Sequence, residues 1–271
     1  MPLAVCATPI GNLEDVTLRV LRELREADAV LAEDTRHTRG LLERHGIRAR
    51  LLSYHEHNEA KRTAELLPRL EAGERVALVS DAGLPGISDP GARLVAAALE
   101  AGVPVTVVPG PSAVETALVA SGLVGERYQF VGYLPRGERA LLELGDELVR
   151  WPWPVVAFES PQRVGSSLSV LARVIPDRAC AVCRELTKRF EEVSRGTVAE
   201  LAERFRDPLK GEVTLVLGPA SEAGVDDEDA DEAAVAAVGE LVEAGLPRRQ
   251  AADVVARLTG LARNRLYRRS L

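Results

Sequence analysis

Residues 76–91, VALVSDAGLPGISDPG, join a short apolar stretch directly to a loop of glycines and prolines. The apolar part, Val76–Ser80, is typical of a buried strand, and Gly91–Glu100 has the pattern of a helix that stops at Gly102. The next apolar run, Val103–Val108, predicts another strand. A strand, a helix and a strand in this order predict a β-α-β unit with parallel strands.

The same alternation extends over the first 122 residues. The pattern predicts further strands at Leu3–Ala7, Ala29–Ala32 and Arg50–Tyr54, and helices at Val16–Glu26, Thr38–His45, Asn58–Leu70 and Ser112–Ala120. Continuously apolar strands between helices are typical of a mainly parallel sheet that is covered on both faces.

The pattern changes after Gly122, and it predicts a second α/β domain with a mixed sheet. Its predicted strands are Gln129–Tyr133, Val155–Phe158, Ala179–Arg184, Glu191–Arg195 and Glu212–Leu217, with a helix at Thr197–Phe205. The short gap after Ala179–Arg184 favours antiparallel pairing with the strand that follows.

The predicted organisation is therefore two α/β domains and a C-terminal helical piece. The boundaries are residues 1–122, 123–219, an acidic linker at 220–231, and a helix-turn-helix at 232–271. The glycine turn at Thr259-Gly260 separates the last two helices.

The charge of this chain is unevenly distributed around a formal net charge of -7. Residues 222–232 contain seven acids and no base, whereas residues 248–271 contain seven arginines and one aspartate. Such a basic end is typical of a phosphate-binding surface, although a solvated helix face has the same composition.

Membrane and metal functions are disfavoured by the composition. No apolar run is long enough to cross a bilayer and the N-terminus lacks a signal-peptide pattern, so we expect a cytoplasmic protein. Cys180 and Cys183 form a C-x-x-C pair, but on a strand this spacing points them to opposite faces. No second pair follows at zinc spacing, so we expect no metal.

Four loops of unusual composition follow predicted strands, and we call them the four strand-end loops. They are Thr8–Asn12, Glu33–Arg36, Ser80–Gly91 and Pro109–Ala113. Ligands of parallel sheets bind beyond the carboxyl ends of the strands, so these loops predict one site. Ser80–Gly91 matches neither the dinucleotide-binding nor the P-loop fingerprint. Its glycines allow a ligand to approach the backbone closely, while its prolines fix the loop's shape.

The chain resembles the tetrapyrrole-methylase-like family of S-adenosylmethionine methyltransferases. The motifs TPIGNLED (8–15), AEDTRHT (32–38), SDAGLPGISDPG (80–91) and PGPSA (109–113) carry this resemblance. It continues through FVGYLPR (130–136), FESPQR (158–163), RELTKRFEE (184–192) and KGEVTLVLG (210–218). Within the family the chain is similar to enzymes that methylate the ribose 2'-hydroxyl of a decoding-centre cytidine in 16S ribosomal RNA.

The resemblance implies a two-domain fold with S-adenosylmethionine bound between the domains, and a homodimer that acts on the small ribosomal subunit. The residues that inherit a cofactor-binding role by motif position are Pro9, Gly11, Asp81, Gly83, Ser88, Asp89, Pro111 and Ser112.

Methyl transfer to a hydroxyl needs alignment and a group that accepts the hydroxyl proton. Candidate acceptors near the predicted site are Glu33, Asp34, His55, His57, Glu159, Glu185 and Lys188. We expect Asp34, Lys188 and Glu185 to be the catalytic residues. Asp34 has the alternative role of helix cap and partner of Arg36, and Lys188 that of phosphate contact.

Arginines in the same motifs and in the C-terminal piece are the candidate RNA contacts. They are Arg36, Arg136, Arg163, Arg189, Arg265 and Arg268. The alternative interpretation for each is an ordinary surface ion pair.

Two other functions are compatible with parts of the sequence. One is a methyltransferase for a small tetrapyrrole-type substrate, which the basic C-terminal helices disfavour. The other is a ribosome-binding protein without catalysis, which the four strand-end loops disfavour.

Overall fold

The computed structural model describes residues 2–220, 228–259, 261 and 263–271, and for residues 228–231, 264 and 265 it describes the backbone alone. The described residues form two compact units. One comprises residues 1–143 and 153–219, and the other comprises residues 144–152 and 220–271.

The first sheet is parallel throughout, as the sequence predicts. Its strands are β1 (Leu3–Cys6), β2 (Ala29–Ala32), β3 (Leu51–Ser53), β4 (Val76–Leu78) and β5 (Val105–Val108). They lie in the order β3-β2-β4-β1-β5, and every neighbouring pair is parallel.

Helices cover both faces of this sheet. They are α1 (Leu18–Glu26), α2 (Thr35–Arg44), α3 (Glu59–Glu71) and α4 (Ala92–Glu100), with a short 3-10 helix at Leu13–Asp15. A further helix, α5 (Ala113–Ser121), follows β5 and packs elsewhere. Leu24 and Leu41 bury one face of the sheet, while Leu66 and Leu94 bury the other. The prediction of a sheet covered on both faces is therefore confirmed.

The second sheet is mixed, again as predicted. Its strands are β6 (Gln129–Tyr133), β7 (Val155–Glu159), β8 (Ala179–Arg184), β9 (Glu192–Thr197) and β10 (Val213–Leu217), in the order β6-β7-β10-β8-β9. Only β6 and β7 pair in parallel within it. The predicted antiparallel pairing of β8 with β9 is confirmed, with Arg184 opposite Glu192.

The second sheet is accompanied by α6 (Glu138–Val149), α7 (Val164–Leu171) and α8 (Val198–Arg204). Only α8 was predicted from the sequence. It begins with a capping box formed by Thr197 and Glu200. In α7, a Cβ at Gly165 would lie 2.0 Å from the Phe205 carbonyl oxygen, so this short helix depends on close backbone packing that apolar periodicity does not reveal.

Helix α5 follows the last strand of the first sheet and packs against the second sheet. Its residues Val114, Ala117 and Leu118 share a core with Val156 of β7 and Val216 of β10. Helix α5 ends at Gly122, whose φ of 75° is a left-handed C-cap. The predicted division of this unit at residue 122 stays a prediction.

The C-terminal helices are α9 (Glu228–Glu243), α10 (Arg248–Thr259) and α11 (Arg263–Arg269). Val238, Ala251, Val255 and Leu266 are among the residues of their small common core. Helix α9 begins at Glu228, four residues before the predicted start, and residues 221–227 of the predicted acidic linker lie outside the described residues. Within the part of the chain that the structure describes, no helix is both long and apolar enough to span a bilayer.

Candidate active site

The four strand-end loops meet at one edge of the first sheet. They follow β1, β2, β4 and β5, which are neighbours in the sheet, and parallel strands bring their carboxyl ends to the same edge. Thr8 and Gly83 exchange backbone hydrogen bonds of 2.8 and 3.0 Å, and the Asp81 carboxylate accepts the Asp34 N–H at 3.0 Å. The first three loops are thus linked by direct hydrogen bonds.

The loop Ser80–Gly91 has a backbone that glycine makes possible. Gly83, Gly86 and Gly91 have φ values of 75°, 86° and 141°, and Ser88 also lies in the left-handed region at 62°. For a residue with a side chain this conformation costs free energy, and such residues concentrate at functional sites. A Cβ at Gly83 would lie 3.9 Å from the Pro111 carbonyl oxygen, so the fourth loop borders the third.

A buried support for this loop was not predicted from the sequence. The Glu59 carboxylate accepts the Gly91 N–H at 3.0 Å and the hydroxyl of buried Tyr54 at 3.2 Å. Glu59 stands at the first turn of α3, 32 residues before Gly91, and the chain pattern gives no signal for such a contact. The loop is therefore held at its far end as well as at β4.

Three carboxylates from two loops, Glu33, Asp81 and Asp89, share this edge. Burial and the charge of Asp81 raise the pKa of Asp89 to about 6, against the opposing hydrogen bond from Ser80. Burial, together with the charges of Asp89 and Asp81, raises the pKa of Glu33. The three groups repel one another, so the edge favours a bound cation.

Tyr133, at the end of β6, faces the same carboxylates from the second sheet. Burial raises the pKa of its hydroxyl, and the charges of Asp89, Glu212 and Glu33 add to this effect. Its side chain is nevertheless 63% exposed and contacts the Phe158 ring edge-on at 5.5 Å between centroids. The site is therefore a cleft with one wall from each sheet. Sequence reasoning did not select Tyr133, although FVGYLPR was among the motifs.

The second wall also includes a strained loop after β8. Glu185 and Thr187 have φ values of 52° and 66°, and the Thr187 hydroxyl accepts the Asn12 N–H at 3.0 Å. A Cβ at Gly11 would lie 2.5 Å from Lys188 Cγ, so the first strand-end loop touches this loop directly. Gly11 is thus required for a close approach between the two walls.

Lys188 forms an ion-paired group with Glu185 and Glu212. Its Nζ lies 3.0 Å from Glu185 Oε1 and 2.8 Å from Glu212 Oε2. Burial lowers the pKa of Lys188, but the hydrogen bonds to the two carboxylates outweigh it and the net shift is upward. Lys188 is therefore protonated at neutral pH, which disfavours it as a proton acceptor.

Asp34 is the N-cap of α2 and the partner of Arg36. Its Oδ1 accepts the Arg36 N–H at 2.8 Å, and the guanidinium donates to both carboxylate oxygens at 3.1 and 2.8 Å. These hydrogen bonds hold the pKa of the Asp34 carboxyl well below its usual range. A carboxylate of such low basicity suits positioning better than proton transfer.

The other predicted cofactor residues are placed as follows. Pro9 and Gly11 lie in the first strand-end loop; Asp81, Gly83, Ser88 and Asp89 in the third; Pro111 and Ser112 in the fourth. Ser112 donates to Glu115 one turn into α5, so its hydroxyl is held by its own helix.

His55, a candidate proton acceptor, lies next to Asn58, which contacts its Nε2 at 3.2 Å.

The predicted RNA-binding arginines have different surroundings. Arg163 pairs with buried Glu159 and donates to the Leu134 and Pro135 carbonyls. Its guanidinium is therefore occupied by contacts with β7 and with the residues that follow β6. Arg136 is exposed, and Arg189 stacks on exposed Phe190 at 5.5 Å. The side chain of Arg265 lies outside the described residues.

The cysteines lie where the sequence places them. Cys180 and Cys183 are both on β8 and buried, and burial raises the pKa of each thiol, to about 12 and about 11. Across the ranges that the structure describes, no three or more His, Cys, Asp or Glu side chains are arranged to hold a metal ion.

Solved structures share this fold. Uroporphyrin-III-C-methyltransferase from Thermus thermophilus matches with a TM-score of 0.57 at 24% identity, over 80% of this chain and 93% of that one. Cobalt precorrin-4 methyltransferase matches with a TM-score of 0.61 at 19% identity, over 80% and 94%. At these identities the likeness defines a class of architecture, an α/β fold built from two unlike sheets.

Sequence comparison gives the family within that class. The family described as Tetrapyrrole (Corrin/Porphyrin) Methylases matches residues 2–202, and the RsmI C-terminal HTH domain matches residues 228–271. The chain belongs to the tetrapyrrole methylase family of S-adenosylmethionine-dependent methyltransferases.

Two relatives carry the name Ribosomal RNA small subunit methyltransferase I. The Mesorhizobium japonicum protein is 42% identical over 272 residues, which cover 99% of this chain and 91% of that protein. The Thermotoga maritima protein is 47% identical over 219 residues, which cover 79% of this chain and 97% of that protein.

The residues at the cleft fit this cofactor. S-adenosylmethionine carries a positive charge on its sulfonium sulfur, and Glu33, Asp81 and Asp89 form an edge that favours a cation. The left-handed residues of Ser80–Gly91 leave room for a ligand to approach the backbone. When bound, the cofactor supplies an electrophilic methyl group.

Proposed function

We propose that this protein methylates the ribose 2'-hydroxyl of a cytidine in the decoding centre of 16S ribosomal RNA. The observation that carries the proposal is the match over 99% of the chain with a relative named Ribosomal RNA small subunit methyltransferase I. The C-terminal helices support it, because they match a domain of the RsmI type beyond the methylase region. We further propose that it acts in the cytoplasm, as a homodimer, on the small ribosomal subunit.

The cofactor contacts follow from the walls of the cleft. We assign the cation-binding role to Asp81 and Asp89, and the backbone cradle to Gly83 and the left-handed Ser88. Pro9 and Gly11 border the cradle from the first loop, and Pro111 and Ser112 border it from the fourth. Alignment of the methyl group with the hydroxyl is the main contribution that such a rigid cradle makes to the rate.

The hydroxyl proton needs an acceptor of suitable basicity, and we assign that role to Glu33. Burial and two neighbouring carboxylates raise the pKa of Glu33, whereas the pKa of Asp34 is lowered. A carboxylate with a raised pKa is the stronger base of the two. Asp34 then acts by fixing its loop, since its carboxylate caps α2 and holds the Arg36 guanidinium.

Lys188 and Glu185 act together in this proposal. The ammonium is fixed between Glu185 and Glu212, and its stem touches Gly11. We assign it the role of a fixed positive charge that orients the first loop. Since two carboxylates neutralise this charge, we assign the attraction of the RNA phosphates to Arg136 and Arg189, which are both exposed.

The decisive experiment supplies the protein with methyl-labelled S-adenosylmethionine and small ribosomal subunits or, in parallel, a tetrapyrrole precursor. We expect label in a cytidine ribose of the RNA and none in the tetrapyrrole. Label in the tetrapyrrole alone would support the small-substrate alternative. Retained binding to the subunit without label in either would support a non-catalytic ribosome-binding protein.

The same assay tests the assigned residues. Glu33→Gln, Asp34→Ala and Lys188→Ala should each reduce the labelling rate, because they remove the proton acceptor, the loop anchor and the fixed charge. Parental rates in both Asp34→Ala and Lys188→Ala would refute the roles given to those two residues. Arg139→Ala, an exposed ion-pair variant on α6, provides the matched control.

A further inference from the structure

The C-terminal unit contains a cavity that the proposed methyl transfer does not use. It has a volume of about 340 Å³ and is lined by Arg249 at the start of α10 and by Arg263, Tyr267 and Arg268 of α11. None of these residues belongs to the four strand-end loops. The volume lies in the range of sites that hold small organic ligands.

The charges that line the cavity favour the binding of an anion. Among the side chains that the structure describes, three guanidinium groups and no carboxylate line it. Arg263 also lies 3.4 Å from Asp253, so one of the three charges has an acidic neighbour, while Arg249 and Arg268 are exposed to solvent. Three like charges around one concavity repel each other, and a phosphate among them relieves that repulsion through charge-assisted hydrogen bonds.

The shape favours one nucleotide over a duplex. A helix-turn-helix that reads a duplex places a protruding helix in the major groove, whereas these arginines surround a concavity. Tyr267 adds an aromatic ring to the same lining, and aromatic rings stack on the unpaired bases of single-stranded RNA. Helix α11 has seven residues, and three of them line the cavity.

We infer that this cavity binds one unstacked nucleotide of a single-stranded or looped RNA segment, with its phosphate at Arg249 and Arg268 and its base against Tyr267. The choice of RNA as the ligand rests on the proposed function. The C-terminal unit thus recognises unpaired RNA, whereas a helix-turn-helix usually recognises a duplex.

The experiment measures fluorescence anisotropy of the full chain with a labelled, unstructured 12-nucleotide RNA and with a fully paired RNA duplex of equal length. The unpaired RNA should bind more tightly. The double variant Arg249→Ala/Arg268→Ala should weaken its binding at least about tenfold and reduce the slope of log affinity against log salt by about 0.7, the value for one phosphate of a single strand. Tyr267→Ala should weaken it at least about fivefold, and Tyr267→Phe should restore it, because stacking needs only the ring.

The matched control is Arg269→Ala, which removes one arginine of α11 outside the lining. Its effect on binding should be less than about a third of that of Arg268→Ala, and its α-helical circular dichroism should equal that of the parent. Three results would each overturn the inference: tighter binding of the duplex, equal effects of Arg268→Ala and Arg269→Ala, or unchanged binding in Tyr267→Ala.

The two proposals fail in different ways. If the parent binds the unpaired RNA through this cavity but labels no ribosomal RNA, the proposed methylation fails and the cavity assignment stands. If the parent labels the ribosomal RNA while the cavity variants bind the oligonucleotide as the parent does, the cavity assignment fails alone.

Discussion

At the scale of single residues, the basicity of each carboxylate at the site is set by its own surroundings. Hydrogen bonds from Arg36 lower the pKa of Asp34, whereas burial, with a smaller contribution from the charge of Asp81, raises the pKa of Asp89. The two residues belong to neighbouring loops and have the same chemistry in isolation. Their difference separates an anchoring carboxylate from one that responds to pH.

Cofactor binding should therefore depend on the ionisation of Asp89. With a pKa of about 6, Asp89 is ionised above that pH and protonated below it. Affinity for the cationic cofactor should be constant from pH 7 to 8 and fall below pH 6, by at most about tenfold per pH unit. Calorimetric titration with S-adenosylmethionine between pH 5 and 8 measures this, and Asp89→Asn should bind weakly with a flatter profile.

The unfolding temperature of Asp89→Asn is the control for its cofactor affinity, because the two quantities should change in opposite directions. The folded-state pKa of Asp89 lies above the ordinary aspartate value of 3.8, so ionisation costs folding free energy as the pH rises from about 4 to 6. Ligand-free Asp89→Asn should thus unfold at a higher temperature than the parent at pH 8. If Asp89→Asn unfolded at a lower temperature than the parent at pH 8, misfolding would explain its weak binding. Asp207→Asn, at an exposed position, should change neither quantity.

At the scale of elements, the two walls of the cleft are positioned by contacts between loops. Thr8–Asn12 reaches the loop after β8 through Asn12 and Thr187, and Gly11 leaves no room for a side chain there. Leu186 is buried in the core that α5 shares with the second sheet, so that loop cannot retreat freely.

Gly11→Ala should open this contact. Its Cβ would lie 2.5 Å from Lys188 Cγ, 2.7 Å from Thr187 Oγ1 and 2.9 Å from the Leu186 carbonyl oxygen. We expect a loss of about 1–3 kcal/mol in the free energy of unfolding, as for other overpacked sites, together with reduced methylation. Chemical denaturation and the labelling assay measure the two effects.

Gly40→Ala is the matched control, because Gly40 lies within α2 and a Cβ there would meet nothing within 4 Å. It should raise the free energy of unfolding by roughly 0.5–1 kcal/mol, since alanine favours the helix. Equal stability losses in the two variants would show that the close approach at Gly11 is unimportant.

The elements themselves were predictable where periodicity is strong. Apolar runs such as Leu3–Ala7 and Ala179–Arg184 identified buried strands, and the spacing of β8 and β9 predicted their pairing. Helix α6 was missed although Leu141, Leu144 and Leu148 follow a helical spacing. Helix α7 was missed because it is short, rich in serine, and stabilised by packing at Gly165. Local pattern does not encode that kind of stabilisation.

The site was predictable to the level of loops but not of roles. Strand-end position located all four loops, because parallel strands share one edge. The support of Gly91 by Glu59 and the approach of Tyr133 from the second sheet link distant parts of the chain. The upward shift in the pKa of Lys188 likewise depends on Glu212, which is 24 residues away.

At the scale of the whole molecule, catalysis and additional RNA contacts are assigned to different parts of the chain. The methylase family matches residues 2–202, and the C-terminal domain matches residues 228–271. The Thermotoga maritima relative matches along 97% of its own length yet accounts for 79% of this chain. A protein named Ribosomal RNA small subunit methyltransferase I thus lacks a counterpart to about a fifth of the residues of this chain.

A chain shortened to residues 1–219 should accordingly keep its cofactor site. We expect its affinity for S-adenosylmethionine to stay within about threefold of the parent's, because the four strand-end loops and β6 are all retained. Affinity for unpaired RNA should fall, since the arginines of α10 and α11 are removed. Calorimetry measures the affinity for S-adenosylmethionine, and fluorescence anisotropy measures the affinity for RNA. Loss of cofactor binding in a folded shortened chain would contradict the assignment of catalysis and additional RNA contacts to different parts of the chain.

The order of the first sheet has a consequence for how the protein is made. Strand β1 lies between β4 and β5, and its Leu3 pairs with Val76, which is translated 73 positions later. At about 5–20 residues per second, the apolar β1 waits roughly 4 to 15 seconds for its first partner. The nascent chain therefore presents an unpaired apolar strand at the ribosome surface throughout this interval, and a chaperone at the exit tunnel has time to bind it.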